Sequence, residues 1–96
     1  MKLVRLEKSD RPEKKYMATF ESDSGRTKTT HFGAAGMDDY TLTKDKEQRE
    51  RYRERHQKDL RTRDPSRAGF LSMEILWGPT TSVMKNLEIY KRKYNL

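Results

Sequence analysis

The chain has 96 residues, of which 31% are apolar and 39% charged, and its formal net charge is +7. That length supports one domain with a small core, while one Trp, five Tyr and three Phe set it apart from disordered chains of similar polarity. With no cysteine, a disulfide framework and a thiolate metal site are excluded; no apolar run is long enough for a membrane span or a cleaved signal, so a reducing, intracellular or particle-enclosed setting is expected.

In chain order, Leu3, Val4 and Leu6 give a short apolar strand that ends before the turn cluster Ser9-Asp10-Arg11-Pro12. Tyr16, Ala18 and Phe20 alternate with Met17, Thr19 and Glu21, the period of a half-buried strand. Asp23-Ser24-Gly25 makes a compact hairpin connection, and Thr27 to Phe32 is a Thr-rich third strand. Residues 33–43 have no periodicity and read as a glycine loop. Asp45 with Gln48 matches a capping box for a charged helix reaching to about Leu60, whose inward stripe is Tyr52, His56 and Leu60. Glu47/Arg51 and Glu54/Lys58 have the spacing of favourable helical ion pairs.

Asp64 as N-cap and Pro65 at the first helical position predict a second helix, carrying Phe70, Met73 and Trp77 toward the sheet. Leu71, Ile75 and Leu76 exceed what one buried face needs and are expected to meet a partner. Gly78-Pro79 stops that helix. Thr80 or Thr81 then caps a last one, with Val83, Leu87, Tyr90 and Tyr94 on one face. The fold class is therefore α+β, a single domain over 1–96: a three-stranded antiparallel meander (1–32), the glycine loop (33–43), and a helical part (44–96) with a charged helix and two shorter C-terminal ones.

The positive charge is uneven. Residues 44–63 hold nine basic and five acidic side chains, net +4, and residues 85–96 hold four and one, net +3, whereas residues 1–43 are near balance with eight and seven. Such fields attract anionic partners. Arg51, Arg53, Lys58 and Arg61, with Lys91, Arg92 and Lys93 in the tail, form a nucleic-acid-binding candidate set. Against that use, arginines two residues apart point about 200° apart on a helix, and Glu47, Glu50, Glu54 and Asp59 break the field.

Catalytic and metal readings find little support. Serines 9, 22, 24, 66, 72 and 82 sit in predicted turns or caps without a nucleophile elbow. Gly33-Ala34-Ala35-Gly36 lacks the Gly-Lys-Ser/Thr ending of a phosphate loop. His31, Asp38, Asp39, Asp45 and His56 match no zinc or calcium spacing. The expectation is a non-enzymatic protein without metal or cofactor.

Phe32-Gly33-Ala34 with Gly36, Asp39-Tyr40-Thr41, Lys44-Asp45, Arg49, Tyr52 and Arg55-His56 form an ordered set of motifs. Asp64-Pro65, Ala68-Gly69-Phe70, Leu76-Trp77, Pro79 and the basic-aromatic C-terminal helix continue it. In that order the chain resembles a family of short basic proteins of nucleocytoplasmic large DNA viruses, the giant viruses of algae and amoebae, over Phe32 to Tyr94. The resemblance implies a virion component, a minor capsid protein assembled in the host cytoplasm in many copies beside other capsid proteins. Thr43 stands where the family pattern has a histidine, which counts against a two-histidine metal site. Arginine and aromatic side chains carry much interface energy, so Asp39, Tyr40, Arg49, Tyr52, Arg55, His56 and Trp77 are the expected partner-binding residues. Nucleic acid is the rival partner.

Overall fold

A computed structural model describes residues 1–96. Three strands, β1 (Lys2–Lys8), β2 (Lys14–Glu21) and β3 (Thr27–Ala34), pair antiparallel in the order β1-β2-β3. Gly25 turns the second hairpin at φ 85°, a conformation that costs glycine little. The expected first strand contains a problem that the fold solves with a bulge. Leu3 and Leu6 are three residues apart, and a regular strand would send them to opposite faces. Leu3 pairs with Phe20 and Arg5 already with Thr19, so Val4 is an extra residue. Leu6 then falls opposite Ala18, on the core side, while Val4 remains exposed.

Four helices follow: α1 (Tyr40–Thr43), α2 (Lys46–Arg55), α3 (Ala68–Leu71) and α4 (Val83–Lys93). A 3-10 segment, Gln57–Thr62, continues α2 toward the expected end near Leu60, and α3 runs directly into a π-helical turn, Ser72–Leu76. The α+β class and the sheet-then-helices order agree with the sequence; α4 is, at 11 residues, one longer than α2 at 10.

One face of the sheet carries Leu3, Ala18, Phe20 and Phe32, and it packs against Phe70, Leu71, Ile75, Leu76, Trp77, Leu87 and Tyr90 in a single core cluster. Leu71, Ile75 and Leu76 are therefore core residues, which corrects the expectation that they meet a partner. The π turn explains the difference: its wider winding carries successive residues 70–78 into the interior, so no side of this segment is left over.

Two helix starts differ from expectation. Asp64 accepts from the Ser66 amide and hydroxyl, forming a closed turn, and the helix begins only at Ala68 with Arg67 at the cap. The Ser66 bonds also hold the Asp64 carboxyl below its ordinary range. Thr80 does not cap α4, because its amide and hydroxyl are both bonded to the Asn86 side chain; Ser82 takes the cap and accepts from the Lys85 amide. Asp45 caps α2 as expected, accepting from Glu47 and Gln48. The reciprocal half of the capping box runs instead through Thr43, whose hydroxyl donates to Gln48 and accepts from the Asp45 amide.

Candidate functional site

Helix α2 buries no residue completely, so its attachment to the domain needs a different explanation from apolar burial. Its inward side is polar. Arg49 donates through Nε to the Gly78 carbonyl at 2.7 Å and lies over the Tyr40 ring, 5.6 Å from its centroid. Arg53, one turn on, donates to the carbonyls of Met73 and Trp77 at 2.7 and 2.9 Å. Met73 lies within the π turn and Trp77 directly follows it. Arg53 also approaches the buried Glu74 carboxylate at 3.5 Å, which Lys93 meets from α4 at 3.4 Å. That carboxylate raises the Lys93 ammonium pKa, although burial by itself would lower it.

Between the two arginines an aromatic column is built. Tyr52 stacks on Trp77 at 4.1 Å and 8°, and on His56 at 4.1 Å and 23°. Two near-parallel rings at that distance cannot share one face of Tyr52, so the order is Trp77, Tyr52, His56. Burial pushes the Tyr52 hydroxyl pKa up, the Asp59 charge adds to this, and Arg55 opposes it.

The glycine loop fixes the other wall. Gly33 has φ 77° and Gly36 φ 82°, both left-handed. At Gly33 a β-carbon would also sit 2.7 Å from a Leu76 methyl carbon, so two independent constraints select glycine there. Asp39 caps α1 by accepting from the Thr41 amide at 2.9 Å, and its other oxygen accepts from Lys15 at 2.6 Å. This carboxylate is almost wholly buried, 2% exposed. The pair ties the loop to β2.

Between loop, α2 and α3 lies a cleft of about 780 Å³. Lys14, Lys15, Gly33, Gly36 and Asp38 form one wall, Gln48, Tyr52, Arg55 and His56 the other, with Gly69, Ser72 and Leu76 beneath.

Among the expected partner-binding residues, Tyr52, Arg55 and His56 line this cleft. Asp39, Tyr40 and Trp77 are buried; Asp39 and Trp77 contribute only part of its lining, and Tyr40 none. The contacts of Arg49 are internal. Among the nucleic-acid candidates, Arg53 is spent on main-chain carbonyls, and Lys93 on Glu74. Arg51, Lys58, Arg61 and Arg92 are exposed, and Lys91 is half-buried. The anticipated Glu47/Arg51 and Glu54/Lys58 pairs do not form; Glu50 pairs with Arg49 instead, at 3.4 Å. Arg51, Arg55, Lys58, Arg61 and Arg63 thus make no ion pair within the chain. Arg49 and Arg53 turn inward while Arg51 and Arg55 remain exposed, in keeping with the step of about 200° between alternate positions. Lys58 and Arg61 are three residues apart in a 3-10 segment, which aligns them one above the other.

Three features were not foreseen from sequence. Asn86 is fully buried and saturated, donating to the Ile75 and Thr80 carbonyls and accepting from Thr80. Glu74 is the buried acid that Arg53 and Lys93 share. Ser9 lies 2.7 Å from His31 Nδ1, with Asp10 3.9 Å from Nε2. The Ser9 oxygen also accepts the Arg11 amide and the Asp10 carboxylate is 76% exposed, so this trio has the character of a stabilised turn. Only a recognised Asx- or Ser-turn pattern at residues 9–11 could have signalled it.

The model of a family of unknown function, DUF5754, matches residues 4–56 of the 96. The matched stretch runs from β1 through the glycine loop and α1 to the end of α2, and it includes both Asp39 and the Tyr52–His56 stack. No curated protein and no solved structure matches the chain.

Proposed function

We propose that this chain, which belongs to the DUF5754 family, is a non-enzymatic binding module that docks an acidic protein surface through the outer side of α2 and the 3-10 segment. One observation carries this reading: five exposed cations, Arg51, Arg55, Lys58, Arg61 and Arg63, lack internal partners while Arg49 and Arg53 anchor the same helix from within. An anchored helix presents its free charges without losing much further side-chain order on docking. Glu47 and Glu54, also exposed and unpaired, favour a protein of mixed surface charge over a uniform phosphate lattice.

The resemblance to proteins of large DNA viruses supplies the setting. In it the module is a minor capsid component that bridges larger capsid proteins, located in the virion. Cross-linking of particles containing the protein tests this: links from Lys44, Lys46 or Lys58 to a major capsid protein support the reading, and links confined to core proteins reject it.

Genome packaging is the second reading, favoured by the same five cations. Titration against random duplex DNA at rising salt separates the two. A steep dependence, with a slope reflecting several phosphates neutralised, makes packaging the primary role. No helix is long and apolar enough to cross a membrane.

A further inference from the structure

The cleft beside α2 holds groups, Lys14, Asp38 and His56, that docking through the outer face does not use. Its volume, about 780 Å³, lies within the range of small-ligand sites. The aromatic column ends in it: Tyr52 covers one face of the His56 ring, so the 38% exposure of that side chain comes from its edge and its far face. A planar ring can extend the column from there. Two cations stand on the walls without an ion-pair partner, Lys14 on β2 and Arg55 on α2. Lys15 is not available, since Asp39 holds it at 2.6 Å. Lys14 and Arg55 against the exposed Asp38 leave one net positive charge on the lining, with the Asp59 carboxylate 3.4 Å from His56 Nδ1 at its margin. That suits one phosphate group better than a chain of three.

We propose that this cleft binds a nucleoside monophosphate, with the base stacked on His56 and the phosphate held between Arg55 and Lys14. The side chain of Asp38 accepts from an exocyclic amino group of the base. Arg55 is shared with the docking face, but His56, Lys14 and Asp38 are not, so the site stands or falls independently of capsid or DNA docking.

Trp77 is the sole tryptophan and lies two rings from the proposed base, which gives a built-in reporter. The full chain is titrated with AMP, adenosine and inorganic phosphate separately, following Trp77 emission and amide chemical shifts. Saturable AMP binding with a Kd of about 1 mM or tighter, shifts centred on residues 14, 36–38 and 52–56, and at least about tenfold weaker binding of adenosine and of phosphate are the expected results. His56→Ala removes the advantage of AMP over phosphate, and His56→Phe, which keeps a stacking ring, retains it. Lys14→Glu weakens AMP and leaves adenosine unchanged. Phosphate binding as well as AMP, shifts spread along Arg51, Lys58 and Arg61 instead of the cleft, or no saturation would overturn the proposal. Lys85→Glu, outside both surfaces, controls for net charge, and loss of AMP binding in that variant equal to that in Lys14→Glu counts against a built site.

Discussion

Arg53 on α2 donates to the main-chain oxygen of Trp77 at 2.9 Å, closing the end of a π turn from outside the helix that contains it. The same nitrogen reaches Met73, and both acceptor residues are buried. A side chain that looks like a free surface charge on the helical wheel thus joins Arg49 and Tyr52 in attaching α2 to the core.

Arg53→Ala should therefore cost more than a surface substitution. It removes the bonds to the carbonyls of two buried residues and one of the two cations that face Glu74, for a loss of about 2–4 kcal/mol. Denaturant unfolding measures it. Arg51→Ala, two residues away and exposed, should stay within about 0.5 kcal/mol. Equal effects of the two variants would show that the inward bonds contribute little.

The two loop glycines should differ. Gly33→Ala meets both a left-handed φ and a Leu76 contact at 2.7 Å, whereas Gly36→Ala has φ 82° but open space around the new methyl group. Losses of about 2–3 kcal/mol at Gly33 and about 1 kcal/mol at Gly36 are expected. The ordering, read from melting curves of the two variants, is the test; a Gly36 variant as damaged as Gly33 would contradict the steric account.

Alkaline pH should unfold this protein through its tyrosines. Tyr90 is buried and donates to the Pro65 carbonyl, and burial raises its hydroxyl far above the ordinary value of 10.0, with Tyr94 and Glu74 adding to the shift. Above pH 10.0 the unfolded chain gives up this proton and the folded chain keeps it, so stability is intact below that point and falls as pH rises. One such proton contributes a slope of about 1.4 kcal/mol per pH unit. Tyr52 and Lys93, both raised as well, act in the same direction. Tyr90→Phe should be less stable at neutral pH by about 1 kcal/mol but show a flatter alkaline limb, followed by circular dichroism. An unchanged limb would remove Tyr90 from the explanation.

Much of the sheet and little of the cleft could be read in advance, for physical reasons. Tyr16, Ala18 and Phe20 disclose their strand because burial on one face imposes a period of two, and Gly25 marks a hairpin by its backbone freedom. Asp45 shows the start of α2 because its carboxylate acts on amides two and three residues away. These are local effects. Asp64-Pro65 carries the same local signature but fails, since Ser66 satisfies the carboxylate before a helix can use it. Thr80 fails as a cap because Asn86, six residues on, claims both its polar groups. The inward turn of Arg49 and Arg53 depends on carbonyls in and just after a π turn, between 20 and 29 residues later, a feature with no periodic trace. The cleft needs Lys14 from one strand, His56 from a helix and Gly69 from another to meet, and sequence spacing does not encode that meeting.

The free cations supply the last prediction. A double variant, Arg51→Glu with Lys58→Glu, changes two exposed side chains that make no internal ion pair, so folding stability should move by less than about 1 kcal/mol. Docking to an acidic protein should be lost, because each reversal replaces an attraction with a repulsion across the interface and slows encounter at low salt. Co-sedimentation with particles stripped of the native protein reads this directly, and added salt should weaken the wild type toward the variant as the charges are screened. If the double variant rebinds as well as the wild type at low ionic strength, the outer face of α2 is not the docking surface.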